Sequence, residues 1–359
     1  MTIDADALLS GPRGRRLCLE YALAGSVVDT TGRGQDAATA LYWAALALET
    51  GAVTLVSFSE GGHEPPAPPT VGAAEAAAAL DTIEPDAPTE ALLREALQRS
   101  VDAAKYWQPA DGRDVLVAQD ELTAPLRRIA GLIATAPAAS WWRGPVDLAD
   151  QWTTPWEGTA CAVDAGETLA AWRAATLADE ARSAAERPSD PTANWSGTWW
   201  SVPPHELVRT TRSLGPDGPA GLWWVEDSLG RNAAVATPVD AYPARVIELD
   251  GPEDWADLCR RHPLEVTASR RHDWFRVTGR DGRWVVPDWS AVAVEADGVH
   301  LTVRGYLTAA TRLIDVGDGA ASVLGGWNPD ETYWFRGVAA RPADAVRWHL
   351  VDDAWRRGS

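Results

Sequence analysis

The chain has 359 residues, 46% of them apolar, with 51 acidic against 32 basic side chains and a net charge of −19. That length suggests two domains, and that apolar content can bury a sizeable core, so global disorder is excluded. No apolar run reaches the ~20 residues of a bilayer-spanning helix, and the acidic field disfavours duplex nucleic acid as a partner.

The N-terminal stretch MTIDADALLSGPRGRR lacks a basic segment followed by an apolar one. No secretory signal is read from it. Cys18, Cys161 and Cys259 are far apart and odd in number, so reduced thiols in a cytoplasmic protein are expected rather than a disulfide framework or a zinc ribbon. GPRGRR at 11–16 lacks the GxxxxGK[ST] spacing of a phosphate loop. It reads as an exposed turn before a helix or strand, with an arginine-lined anion contact as the sharper alternative.

Residues 36–50 (DAATALYWAALALET) open on an acidic cap candidate and are apolar around most of the helix; Gly51 is a stop signal. VTLVSFS at 53–59 predicts a strand, and the proline-rich 61–71 a surface loop. Two helices are expected over 88–107 and 117–135, the first with Leu92, Leu93, Leu97 and Val101 at helical intervals, and a long helix over 165–186. RPSDPTANWSG at 187–197 reads as a linker. The domain boundary is placed here: an acidic, mainly helical domain over 1–190 and a Trp-rich α+β domain over 191–359. The first part has 28 acidic and 14 basic residues, −14 of the −19 charge. Of 20 tryptophans, only Trp43 and Trp107 precede Trp141.

Beyond 197, β-prone runs alternate with turns. Strands are expected at 221–226, 244–249, 273–279, 283–288, 298–307, 321–327 and 332–337, with a helix over 251–262 whose terminal charges match its dipole. The overall class is α+β.

Four groups of residues carry candidate chemistry. Cys259 and His262 have CxxH spacing but no further zinc ligands at a recognisable interval, so no metal is expected. From Arg260 to Arg283, seven arginines face three acids, with His272, Trp274, Phe275 and Trp284 among them. That mixture suits a nucleotide or another small anionic ligand, or internal pairing with the acidic first half. Trp199–Trp200 and Trp223–Trp224 suit either a core or an aromatic cleft, since paired residues on a strand face opposite ways. On the strand expected at 298–307, His300, Thr302 and Arg304 share one face, and Asp330 or Glu331 after it offers a carboxylate.

The segments LEVTASRRHDWFRVTGRDGRWVVPDWSAVAVEADGVHLTVRGYLTAATR and SVLGGWNPDETYW give residues 197–337 a resemblance to a group of actinobacterial proteins to which no activity is attached. The order LVRTTR, VHLTVRGYL, PDETYW also resembles the ADP-ribosyltransferase fold, without its Q/ExE triplet. That resemblance implies NAD as cofactor, Arg209, His300 and Glu331 as catalytic residues, and a split-sheet core. Arg271 and Thr210 would then contact the cofactor, with Trp274 and Tyr306 as its aromatic wall. The alternatives are a non-catalytic protein-binding module of inhibitor or immunity type, and an enzyme for another small anionic metabolite.

Overall fold

The computed structural model describes residues 3–26, 33–50, 69–155, 164–228, 230–242 and 245–358. Twelve α-helices occur among them: α1 Ala5–Ser10, α2 Pro12–Ser26, α3 Arg33–Leu46, α4 Ala73–Asp81, α5 Glu90–Asp102, α6 Gly112–Leu116, α7 Thr123–Ala134, α8 Ala165–Glu186, α9 Pro252–Arg261, α10 Thr267–Thr278, α11 Trp289–Glu295 and α12 Val303–Ala309. The strands are β1 Gln151–Thr153, β2 Val208–Thr210, β3 Ala233–Ala241, β4 Val246–Leu249, β5 Pro263–Glu265, β6 Arg283–Pro287, β7 Gly298–Leu301, β8 Ile314–Gly317, β9 Ala320–Ser322, β10 Glu331–Trp334, β11 Val338–Ala340, β12 Val346–Val351 and β13 Ala354–Arg357. The fold is α+β, as the sequence predicts.

Local chemistry explains the helices that were legible. Thr89 caps α5 by accepting from the Leu92 amide at 3.2 Å, and Asp164 caps α8 by accepting from that of Glu167 at 3.0 Å. Leu93, Ala96, Leu97, Ser100 and Val101 form the buried stripe of α5. The strand expected at 53–59 and most of the loop expected at 61–71 lie outside the described residues.

Three expected strands fold otherwise. Residues 273–279 belong to α10: Gly279 ends that helix in the left-handed conformation, at φ 68°. Its start has no capping side chain of its own, but Glu180 of α8 accepts from the Ala268 and Ser269 amides at 2.7 and 2.8 Å. At 221–226 the chain makes a 3-10 turn rather than a strand, and both indoles are buried. At 298–307 the strand stops at Leu301; Thr302 caps α12 by accepting from the Gly305 amide at 2.8 Å. His300, Thr302 and Arg304 therefore do not share a strand face.

The strands form three sheets. The first runs β1-β3-β12-β13, with β11 also on β3; the third runs β5-β6-β9-β8. The second, β2-β10-β7-β4, holds the site. Its register aligns Thr210 with Thr332, Thr332 with His300, and His300 with Glu248. Directly opposed residues share a face, so these four make one polar row across the sheet.

Residues from both sides of 190 build the main core, including Leu17, Leu97, Ile129, Trp142, Trp255, Leu307 and Trp327. α12 explains the junction. A side chain on Gly305 would meet the Leu249 carbonyl oxygen at 2.1 Å, and one on Gly11 the Leu307 carbonyl oxygen at 2.3 Å. Only glycine lets the helix lie this close to β4 and to the first helices. GPRGRR, expected as an exposed turn, is the start of α2: Arg13 is 1% exposed and pairs with Asp114, while Arg16 bonds Glu20 and Asp111. Trp255, Trp289, Trp327 and Tyr333 make an edge-packed cluster with ring centres 5.2–6.3 Å apart. A smaller core holds Tyr106, Trp274 and Trp284. Among the described residues no helix is long and apolar enough to cross a membrane, and no cluster of His, Cys, Asp or Glu is placed to hold a metal ion.

Candidate functional site

A narrow cavity opens beside β2 and β10; its free interior is about 30 Å3, room for one or two water molecules. Arg209, Thr210 and Glu331 line it, and so do Trp152, His205, Arg231 and Asn328. Arg209 is paired in register with Tyr333, the neighbour of Glu331 on β10. Its Nη1 lies 3.5 Å from Glu331 Oε1, and its guanidinium carbon 5.8 Å from the Tyr333 ring centre. Asn328 orients the carboxylate, donating from Nδ2 to Oε1 at 3.1 Å, while the Trp327 indole donates to the Glu331 carbonyl at 2.9 Å. Burial raises the Glu331 pKa, and Arg209 and Asn328 oppose that shift.

His205 is pushed down to about 4, by burial first and then by Arg209, so its imidazole is neutral at physiological pH. Arg231 Nη2 donates to the Thr154 and Pro155 carbonyls at 3.1 and 3.3 Å, fixing that wall. On β2, Thr210 accepts from the Trp334 indole at 2.7 Å and donates to Gln151. The lining thus offers two guanidiniums, a buried carboxyl, a neutral imidazole and an indole.

Behind the sheet lies a buried charge relay. His300 Nδ1 is 2.5 Å from Glu248 Oε2, and its Nε2 is 3.4 Å from Asp330 Oδ1. Asp330 also accepts from Arg212 Nε at 2.8 Å and from the Arg212 amide at 2.9 Å. These bonds hold Asp330 at φ 59°, a left-handed turn conformation that aspartate tolerates. Burial disfavours the imidazolium, yet Asp330 and Glu248 outweigh it and hold His300 at about 9. Burial works against the Asp330 charge as well, but His300 and Arg212 bring its pKa below the usual value.

The other sequence candidates lie elsewhere. Tyr306 is fully buried in α12, where Glu226 and Arg13 act on its hydroxyl. Trp274 is fully buried too; it meets Trp284 edge to face and donates to the Trp199 carbonyl at 2.8 Å. Both are held by core packing, so neither lines the cavity. Arg271 sits on α10 beside His272, also away from it. The arginine-rich segment is largely paired internally: Arg261 with Glu295, Arg276 with Asp273, Arg283 with Glu265, and Arg270 with Asp179 of α8. Cys259 is buried, and His262 lies 3.2 Å from Glu295.

The sequence reading missed Trp152, His205, Arg231 and Asn328. Asn328 stands three residues before Glu331, whose carboxylate was the one available signal. Trp152 comes from the segment assigned to the other domain. No family model matches the chain, and no curated protein or solved structure matches it.

Proposed function

We propose that the cavity beside β2 and β10 is the active site of an enzyme for a small anionic metabolite, with an NAD-type dinucleotide as the first candidate. The carrying observation is that Arg209, Thr210 and Glu331, distant in sequence, line one cavity with a second guanidinium and an indole. Arg209 and Arg231 supply charge for phosphate or carboxylate groups, and Trp152 supplies a flat apolar face. The residues fit such a dinucleotide in part: the charges suit it and Trp152 takes the place of the wall expected from Trp274 and Tyr306, but a free interior of about 30 Å3 does not enclose a nicotinamide ring.

In this reading the bond between ribose C1′ and the nicotinamide nitrogen breaks, and nicotinamide leaves as a neutral molecule. A hydroxyl, amine or water of the acceptor forms the new bond to C1′ and passes its proton to the Glu331 carboxylate. His300 does not touch the substrate; through Asp330 it positions the turn that carries Glu331.

Calorimetric titration with NAD and ADP-ribose, followed by an assay for nicotinamide release, tests the reading. Wild type binds NAD and releases nicotinamide. Glu331→Gln keeps binding and loses release by about a hundredfold or more, the range of a lost acid–base group. Absence of both binding and release overturns the proposal and favours a non-catalytic protein-binding module.

A further inference from the structure

A second cavity lies between α5, residues 138–150 and the loop after β2, and it shares no lining residue with the first. Its free interior is about 380 Å3, toward the lower end of the range that accepts drug-sized molecules. One wall is indole. Trp141 and Trp224 lie nearly parallel, with ring centres 6.1 Å and planes 20° apart, and Trp142, Leu93 and Leu214 extend the apolar surface.

The charged side chains of this cavity sort unevenly. Arg212 is committed to Asp330, and its guanidinium carbon lies 4.3 Å from the centre of the Trp141 ring. Arg94 pairs with Asp217 and lies 4.3 Å from the centre of the Trp223 ring. Both cations of the lining are thereby neutralised by carboxylates. Glu90, Asp147 and Asp150 remain in the lining with no basic partner among the described residues. Among the described residues the Asp150 carboxylate accepts only from the Trp152 indole at 2.7 Å, and the Asp147 carboxylate from the Ala149 amide at 3.1 Å.

We propose that this cavity binds an organic cation: an apolar or flat aromatic body against the indole wall, with an ammonium group toward Asp147 and Asp150. Charge does the selecting. The uncompensated carboxylates attract a cation and repel an anion of the same shape, while the apolar lining accepts the body of either. The −19 charge of the whole chain favours the same sign of ligand.

The test uses two probes of the same ring and opposite charge, phenethylamine and phenylacetate, titrated by calorimetry into the full-length protein. Phenethylamine is expected to bind one to one, at least about tenfold more tightly than phenylacetate. Asp147→Asn with Asp150→Asn keeps the hydrogen-bond acceptors and weakens the amine about tenfold or more, without lowering the melting temperature. Trp141→Phe, which retains a ring, weakens it less. Equal or tighter binding of the carboxylate overturns the proposal. So does amine binding indifferent to the paired Asn substitutions, or no amine binding at about 10 mM. Because Asp150 holds the Trp152 indole of the first cavity, NAD binding is read separately on the wild type and on Asp147→Asn alone.

Discussion

His300 and Asp330 stand 3.4 Å apart, Nε2 to Oδ1, both buried, with Glu248 on the far side of the imidazole and Arg212 on the far side of the carboxylate. The four side chains alternate in sign when His300 is protonated. The relay ties β4, β7 and the turn before β10 to the segment after β2, so the elements that bracket Glu331 are held from behind.

This arrangement makes stability depend on alkaline pH. The folded His300 pKa of about 9 lies above its ordinary 6.5. Its contribution is complete below about pH 6.5 and lost as pH rises through 9. Wild type is expected to exceed His300→Gln in unfolding free energy by a few kcal/mol near pH 6, the scale for breaking a buried pair. Urea titrations from pH 6 to 10 should show the gap closing. Parallel curves would mean that His300 is neutral in the fold.

Glu226 works in the same direction at lower pH. Burial pushes its pKa up to about 7, although its carboxylate accepts from Tyr106 at 2.8 Å and the Gly326 amide at 2.8 Å. Between pH 4.5 and 7 the folded state holds a proton that the unfolded chain has released, so stability falls as pH rises through that window. Glu226→Gln is expected to flatten this limb of the profile, read as the urea midpoint at pH 5 and pH 7.5. A slope unchanged by the substitution would place the titration on another group.

Gly305 tests the close approach of α12 to β4. Gly305→Ala puts a methyl group 2.1 Å from the Leu249 carbonyl oxygen, against backbone that cannot rotate away. The expected loss is about 3 kcal/mol, at the upper end for overpacking. A loss under about 1 kcal/mol, measured by urea denaturation, would show that the helix can slide.

Cys18 and Cys259 are fully buried, and burial pushes both thiols up to about 12. Thiolate, not thiol, reacts with alkylating agents. Iodoacetamide labelling with peptide mapping at pH 8 should leave both unmodified in the native protein and modify both in guanidinium. Native labelling at Cys259 would show that α9 opens readily.

Helices were legible where apolar residues recur at helical intervals within one segment, as Leu92, Leu93, Leu97 and Val101 do in α5. The α9 helix was legible from its flanking charges, and β4, β6 and β10 from short β-prone runs. α10 was not, because Trp274, Phe275 and Val277 read as a strand while the carboxylate that caps the helix comes from α8. Of the site, Arg209, Thr210 and Glu331 were named by the resemblance to the ADP-ribosyltransferase fold. Their company was hidden, since Trp152, His205 and Arg231 reach the cavity by sheet pairing and a distant loop. Tyr306 and Trp274 were taken for a ligand wall because an aromatic side chain looks the same in sequence whether it lines a cleft or fills a core.

By itself the sequence determined the α+β class, the acidity, the tryptophan excess and five of the twelve described helices, because each depends on composition or on neighbours within a few residues. The tertiary structure alone decided which charges are paired, which indoles are buried and which side chains share a cavity. Pairing and burial depend on residues more than a hundred positions apart, such as Arg209 with Glu331 and Arg13 with Asp114, and local periodicity contains no record of those distances.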